Sequence, residues 1–435
     1  MRALIMVLMF VVAGVMVADN TDSGSSGIEI VEVFRAETAE ELEAALVDGY
    51  PMPWLEEILS DETIPEEDRY WLDCRVRAVI AQDLHLFFDE EGNPIHIEAD
   101  WIAPGEDYWR ENFIMNPVGE PFLYDSPDMP TNVVSEPGYV VNRFGETIGQ
   151  LAMAEDYIRL SRDGSIGVTG SDLSTTEPEY PITYDNACIL YADGSFKEVA
   201  APWSYRRNYT ISSDGNTIAV TSKLLASESS PREPGAILWV LNRDGSVRFT
   251  YEIHGISYIK YPLVSASGQY VVVFNGNYEE QREVILFDGN TGEILERFDD
   301  LQGMEFFFTP NERYLCIYGA SPFTVTLYDC ENKSEIWSRE FSRDDGHRVL
   351  RLPSCDNEAE HLLVTAAMPD PLHQNYRAYL FDFVLDDINI TDSTPKIAHI
   401  SPEASFTVMQ MNTIWQIGPQ DKSLPLIVSR LTGGE

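Results

Sequence analysis

The sequence predicts a mainly β chain, built of repeated four-stranded sheets behind a small α-helical N-terminal domain. Three observations carry that expectation. An apolar run, a polar turn and a second apolar run recur at near-regular spacing through the back two-thirds of the chain. The apolar period changes from helical to alternating near Gly92. With 44% hydrophobic and 11% aromatic residues, 435 residues can bury sizeable cores, so global disorder is excluded.

Charge narrows the function classes. Asp and Glu number 72 against 29 Lys and Arg, a formal net charge of -43. Nucleic-acid affinity comes chiefly from cations that neutralise phosphates, so a nucleic-acid partner is not expected. Attraction to anionic lipid surfaces is disfavoured for the same reason.

Taken in order, the chain opens with Met1 and Arg2, an uncharged apolar run from Ala3 to Val17, and a polar change at Ala18. That is the pattern of an export signal over 1–18, implying a secreted or periplasmic protein that does not remain inserted in a membrane after cleavage. A flexible Gly/Ser-rich linker follows at 19–27. Residues 28–92 read as an acidic helical domain. Thr38 with Glu41 and Thr63 with Glu66 fit capping boxes, in which side chains satisfy the free amides of a helix start. Apolar spacing then predicts helices over 38–48, 52–59 and 64–88. From Asp19 to Glu120 there are 27 acids against 5 arginines, and no lysine precedes Lys197. Residues 93–137 form a Pro- and aromatic-rich connector expected to lie against the next domain.

From 138 to 431 the repeat takes over. Six first-type segments begin with Ile158–Thr169 (IRLSRDGSIGVT), Tyr209–Val220 (YTISSDGNTIAV) and Tyr261–Val273 (YPLVSASGQYVVV). They continue with Phe306–Ile317, Leu350–Val364 and Ile397–Val408. Second-type hairpins follow them, such as Val284–Phe298 (VILFDGNTGEILERF) and Val325–Phe341. Two hairpins make four strands per unit, and units of 40 to 50 residues suit radial blades that bury both faces of each sheet against their neighbours. Here the chain resembles bacterial β-propellers of the WD40-like and YVTN type. Their S-P-D-G turns are matched by Ser161, Asp163, Gly164 and by Ser212, Asp214, Gly215. Their L-Y-D-x-x-T-G-x-x-L-W turns are matched by Phe287, Asp288, Thr291, Gly292, Leu295 and by Tyr328, Asp329, Ile336, Trp337. The last two units lose the Asp-Gly pair. The expected fold is therefore a six- to seven-bladed β-propeller. Seven is favoured because the hairpin Tyr139–Leu151 precedes the first full unit and Pro121–Val134 could supply its missing strands.

No catalytic signature emerges. There is no Gly-x-Ser-x-Gly, His-Glu-x-x-His or Cys-x-x-Cys, and seven histidines are scattered singly. The five cysteines are odd in number and spread out, so they imply no disulfide framework, although Cys330 and Cys355 both fall in turns. Repeated Asp-Gly pairs are what tight hairpins demand, and Asp288–Glu293 lacks the later glutamate of a calcium loop, so no metal and no cofactor is expected. The resemblance places recognition on the face of the second-to-third-strand loops and the inter-blade connections. Aromatic and arginine side chains anchor protein interfaces. The candidate partner-binding residues are thus Trp203, Tyr205, Arg206, Arg207, Tyr180, Tyr184 and Tyr278, facing an unidentified protein or carbohydrate. The expected function is an exported acidic binding scaffold. The alternative is a secreted hydrolase or lyase with acids at the channel mouth.

Overall fold

Among the described residues, the third to seventh sheets bury apolar side chains on both faces, and the architecture follows from that. In the computed structural model the described residues are 28–84, 86–88, 91–95, 113–115, 138–141, 147–151, 158–161, 165–170, 187–191, 195–199, 204–224, 236–253, 262–276, 282–299, 304–319, 323–341, 349–367, 376–382, 387–391, 397–410 and 424–432.

Among the described residues six four-stranded antiparallel sheets follow one another, after a three-stranded first sheet of Phe113–Met115, Gly138–Val141 and Thr147–Leu151. The second sheet is Ile158–Leu160, Ile166–Gly170, Ala187–Tyr191 and Phe196–Val199. The third is Ser204–Ile211, Thr217–Leu224, Ala236–Asn242 and Val247–Ile253. The fourth is Leu263–Val264, Tyr270–Gly276, Arg282–Asp288 and Ile294–Asp299. The fifth is Met304–Phe308, Tyr314–Gly319, Phe323–Asp329 and Ser334–Phe341. The sixth is Val349–Cys355, His361–Ala367, Tyr376–Asp382 and Asp387–Thr391. The seventh takes Ile397–Ile400, Phe406–Gln410 and Leu426–Thr432 from the end of the chain, and its fourth, outermost strand is Glu29–Ala36 from the front.

Alternation along each strand sends successive side chains to opposite neighbours. Phe306 and Phe308 join Leu263, Tyr270 and Val272 of the fourth sheet, whereas Phe307 between them joins Cys355 and Leu362 of the sixth. Val271 and Val273 pack on the third sheet with Leu238 and Val240. Leu363 packs on the seventh with Ile400 and Met409. A slip of one residue in any strand would exchange the two faces, so every register is fixed from both sides. The second to seventh sheets are thus stacked face to face. Their first strands converge: Cα atoms of neighbouring first strands come within 8 Å between the second and third, third and fourth, and sixth and seventh sheets. These are the blades of a β-propeller with the first strands at the hub.

The front of the chain departs from expectation. Glu29–Ala36, expected within the helical domain, is a strand that pairs antiparallel with Leu426–Thr432, from Glu29 opposite Thr432 to Ala36 opposite Leu426. The helices are α1 (Ala39–Ala45), α2 (Pro53–Ser60) and α3 (Glu66–Leu84). Thr38 caps α1 as the sequence predicts: its Oγ1 accepts the Glu41 amide at 3.3 Å, and Glu41 Oε2 accepts the Glu37 amide at 2.7 Å. At α3 the expected box is replaced, since the Thr63 hydroxyl donates to Asp61 Oδ1 at 2.6 Å and the helix begins at Glu66. The expected helix through Phe88 ends at Leu84, and Phe87–Phe88 pairs instead with Pro94–Ile95. Gly92, at φ 82°, makes that turn. A Cβ there would lie 2.0 Å from the Tyr50 carbonyl oxygen, so no other residue fits.

Nor are the helices a separate body. Leu42, Met52, Leu55, Leu72, Val76 and Ile80 share one buried cluster with Phe406, Val408, Leu426 and Val428 of the seventh sheet. Phe34 of the outermost strand stacks on Trp54 of α2 at 4.6 Å. The helices therefore cover the face of the seventh sheet that points away from the sixth. The connector also contributes structure, because its Phe113–Met115 runs parallel to Gly138–Val141 in the first sheet. Pro121–Val134, invoked for missing strands, lies outside the described residues.

Candidate functional site

One end of the stack is invariant and the other is not. Five residues separate the first and second strands in each of the second to seventh sheets, as in Leu160 to Ile166, Phe308 to Tyr314 and Ile400 to Phe406. Each of these turns opens on a side-chain oxygen that accepts the amide five residues on. The oxygens belong to Ser161, Ser212, Ser265, Thr309, Asp356 and Ser401, and the donors are the amides of Ile166, Thr217, Tyr270, Tyr314, His361 and Phe406. The position three residues after the opening one is left-handed wherever it is described. Gly215 and Gly268 have φ 70° and 77°, and Glu312, Ala359 and Ala404 have φ 64°, 54° and 56°. The last units drop the Asp-Gly pair but keep its backbone.

These turns are stitched to one another. The Asp214 amide donates to the Ala266 carbonyl at 3.4 Å, and the Ser267 amide and hydroxyl both donate to the Glu312 carboxylate. The Asn311 amide donates to Asn357 Oδ1 at 2.9 Å, and the Asn357 amide to the Pro402 carbonyl at 2.7 Å. The series then passes to a helix. Asp68 of α3 is fully buried and accepts from the Ser401 hydroxyl at 2.9 Å, the Glu403 amide at 2.8 Å and the Ser405 amide at 2.9 Å. In the third, fourth and fifth sheets the amide two residues into the turn finds its acceptor on the next sheet. In the seventh it finds Asp68. By both hydrogen bonding and apolar contact, α3 stands where a next sheet would stand.

Helix α3 brings further charge inside. Asp73 pairs with Arg77 at 3.1 Å and accepts the Tyr50 hydroxyl at 2.5 Å, while the Arg77 guanidinium lies 4.2 Å from the Tyr50 ring centroid. Burial first, then the Asp73 charge, pushes the Tyr50 hydroxyl well above its usual range, so it stays a donor. Arg75 is 1% exposed and sits 4.8 Å over Trp71. Its charge also reaches His399 on the hub strand of the seventh sheet. Burial and then Arg75 hold that imidazole well below the usual histidine range, and it is neutral near pH 7. None of Asp68, Arg75 or His399 was singled out by the sequence reading. The available signal was Arg75 inside the apolar stripe of Leu72, Val76, Val79 and Ile80, a place where a cation must be held by the surrounding fold.

The predicted partner-binding residues divide. Trp203, Tyr180, Tyr184 and Tyr278 lie outside the described residues. Tyr205, Arg206 and Arg207 fall on the hub strand of the third sheet, where the register shifts between Ser204 and Arg207. The Asp-Gly turns are structural where described: Asp214 Oδ1 accepts the Asn216 amide and Asp244 Oδ1 the Ser246 amide, each at 2.9 Å. Asp288 Oδ1 accepts the amides of Asn290 and Thr291 at 2.9 and 2.7 Å, a blade turn. Asp163-Gly164 and Asp193-Gly194 lie outside the described residues. The five cysteines are buried and none is in a disulfide, so Cys330 and Cys355 form no bridge. Among the described residues no group of three metal-ligating side chains converges.

No family model matches the chain, and no curated protein matches it. Solved structures do resemble it. A eukaryotic initiation factor is 11% identical with a TM-score of 0.45, over 71% of this chain and 74% of that one. Kuenenia stuttgartiensis hydrazine synthase is 13% identical with a TM-score of 0.42, over 78% of this chain and 100% of the other. The β-propeller domain of Cps50 (Swd1) from Myceliophteria thermophila is 11% identical with a TM-score of 0.37, over 66% and 87%.

Proposed function

We propose that this β-propeller, of the bacterial WD40-like and YVTN kind and with six or seven blades, is an exported binding scaffold. It engages a protein or carbohydrate at the end opposite its stitched turns. One observation carries the reading: the two ends of the blades differ in regularity. The first-to-second-strand turns are constant in length and hold their polar groups in a ladder. The second-to-third-strand connections run to 16, 11, 5, 3, 8 and 15 residues from the second sheet to the seventh. A rigid frame with connections that vary at one end is the usual way a fold positions recognition residues. Trp203, Tyr205, Arg206, Arg207, Tyr180, Tyr184 and Tyr278 are the residues we propose to make that contact.

The test uses the secreted chain from Asp19. Segments 171–186, 225–235 and 411–423 are shortened to Gly/Ser linkers, and separately Trp203→Ala with Tyr205→Ala is made. Thermal unfolding and binding on glycan and protein arrays are measured for each. A retained unfolding midpoint with lost binding is expected. Binding that survives all three shortenings contradicts the reading.

A further inference from the structure

Charge is spread unevenly along this chain, and the excess falls on the part that completes the last sheet. Residues 28–84 hold 16 acids and 4 arginines, and 12 of those acids are exposed against one exposed arginine, Arg35. Arg35 is already engaged locally, by Glu32 at 2.7 Å and Glu37 at 2.6 Å. Arg75 and Arg77 are buried, so neither stands among the surface acids. The third to fifth sheets are nearly balanced by comparison, with 14 acids and 10 cations over 204–224, 236–253, 262–276, 282–299, 304–319 and 323–341. Cations also bridge the seams of these sheets. Arg243 of the third sheet donates to Ser165 Oγ of the second at 2.8 Å, and Arg248 to the Gly289 carbonyl of the fourth at 2.8 Å. Arg297 of the fourth donates to the Tyr251 hydroxyl of the third at 2.9 Å. At the closing seam Arg430 of the last strand reaches Asp61 at 3.7 Å, with the two side chains 39% and 32% exposed, a geometry that contributes little.

Like charges at this density repel over a range that salt sets: the screening length is about 30 Å at 0.01 M, about 8 Å at 0.15 M and about 3 Å at 1 M. Residues 28–84 sit on a propeller that is itself acidic, in a chain of net charge -43. Apolar contacts with Phe406, Val408, Leu426 and Val428 draw this segment in, and its charge opposes them. That balance shifts with ionic strength at the closing seam more than at seams whose charges are matched. We infer that the pairing of Glu29–Ala36 with Leu426–Thr432 is an ionic-strength-sensitive latch, firm in a salty medium and loosened in a dilute one. The screening ions are diffuse and occupy no fixed site. Loosening the latch bares the paired edge of Leu426–Thr432 and the apolar face of the seventh sheet beneath the helices. The inference stands apart from the binding-scaffold reading, because it concerns how the last sheet is completed and its test needs no partner.

Amide hydrogen exchange of the chain from Asp19 is followed by mass spectrometry in 0.01 M, 0.15 M and 1 M potassium chloride at one pH. Peptides spanning 29–36 and 426–432 are expected to gain roughly tenfold in protection from the lowest to the highest salt, and peptides spanning 236–253 and 282–299 less than about threefold. Salt also strengthens apolar burial everywhere, so a charge variant separates the two effects. Glu43→Lys, Glu57→Lys and Glu62→Lys together reverse exposed charges outside the first turns of the helices and halve the net charge of the front segment. In this variant the gain at 29–36 and 426–432 is expected to fall to about threefold. The contrast between the closing seam and the inner sheets in the unsubstituted chain decides the matter even where the variant fails to fold. The inference is overturned if seam and inner sheets gain alike, or if neither gains. It is overturned equally if the folded variant keeps the gain of the parent.

Discussion

At Ala404 a single backbone angle sets a measurable cost. The residue holds φ 56° where the third and fourth sheets place Gly215 and Gly268. A left-handed conformation costs a residue with a Cβ about 1–2 kcal/mol, partly offset because glycine loses more freedom on folding. Ala404→Gly is expected to raise unfolding stability by about 0.5–1 kcal/mol, read from denaturant midpoints, and an unchanged or lowered midpoint contradicts the turn assignment. His399 makes a second prediction at this scale, with the sign set by its lowered value. Above pH 6.5 the imidazole is neutral in both folded and unfolded chains, so it adds no pH dependence. Below that the unfolded chain takes a proton that the folded chain refuses, and stability falls as pH falls, by about 1.4 kcal/mol per unit. Between pH 6.5 and 5 the stability of His399→Gln is expected to slope less steeply than the parent's. Identical slopes would place the imidazole in solvent.

Among the elements, α3 takes the role of a sheet. Asp68→Ala leaves the Ser401 hydroxyl and the amides of Glu403 and Ser405 without their buried acceptor. A loss of about 2–4 kcal/mol in unfolding free energy is expected, against a change within about 0.5 kcal/mol for the exposed neighbour Glu67→Ala. Equal effects would mean that the helix does not continue the ladder. Much of this level was legible in the sequence. Thr38 and Glu41 mark α1, and the apolar–turn–apolar units give the strands of the second to seventh sheets. Glu29–Ala36 was not legible, for an identifiable reason. Its charged residues Glu29, Glu32 and Arg35 fall every third position, which imitates a helix. The strand's register shifts between Glu32 and Phe34, and that bulge breaks the alternation by which a strand is recognised. Asp68 was equally hidden, because one acid among 72 carries no mark of the turn it meets 333 residues later.

On the scale of the whole molecule, stability comes from apolar faces stacked in series rather than from cross-links. All five cysteines are buried and none is in a disulfide, and burial pushes the Cys316 and Cys355 thiols well above their usual range. A thiol reagent is therefore expected to find none of the five in the native chain and all five in denaturant, and reductant is expected to leave the thermal midpoint unchanged. Reaction of native thiols, or a midpoint lowered by reductant, would contradict that. The front strand then matters more than any covalent link, because its pairing with Leu426–Thr432 is what joins the two ends of the chain. The most direct test is the pair Val31→Cys with Arg430→Cys, whose positions lie opposite each other in the seventh sheet. After mild oxidation, mass spectrometry of the proteolysed protein is expected to recover one cross-linked peptide holding residues 31 and 430 in high yield. A shifted pairing such as Glu29→Cys with Arg430→Cys is expected to give little. Free thiols at both positions, or equal yields from the two pairs, would contradict a propeller whose first strand completes its last sheet.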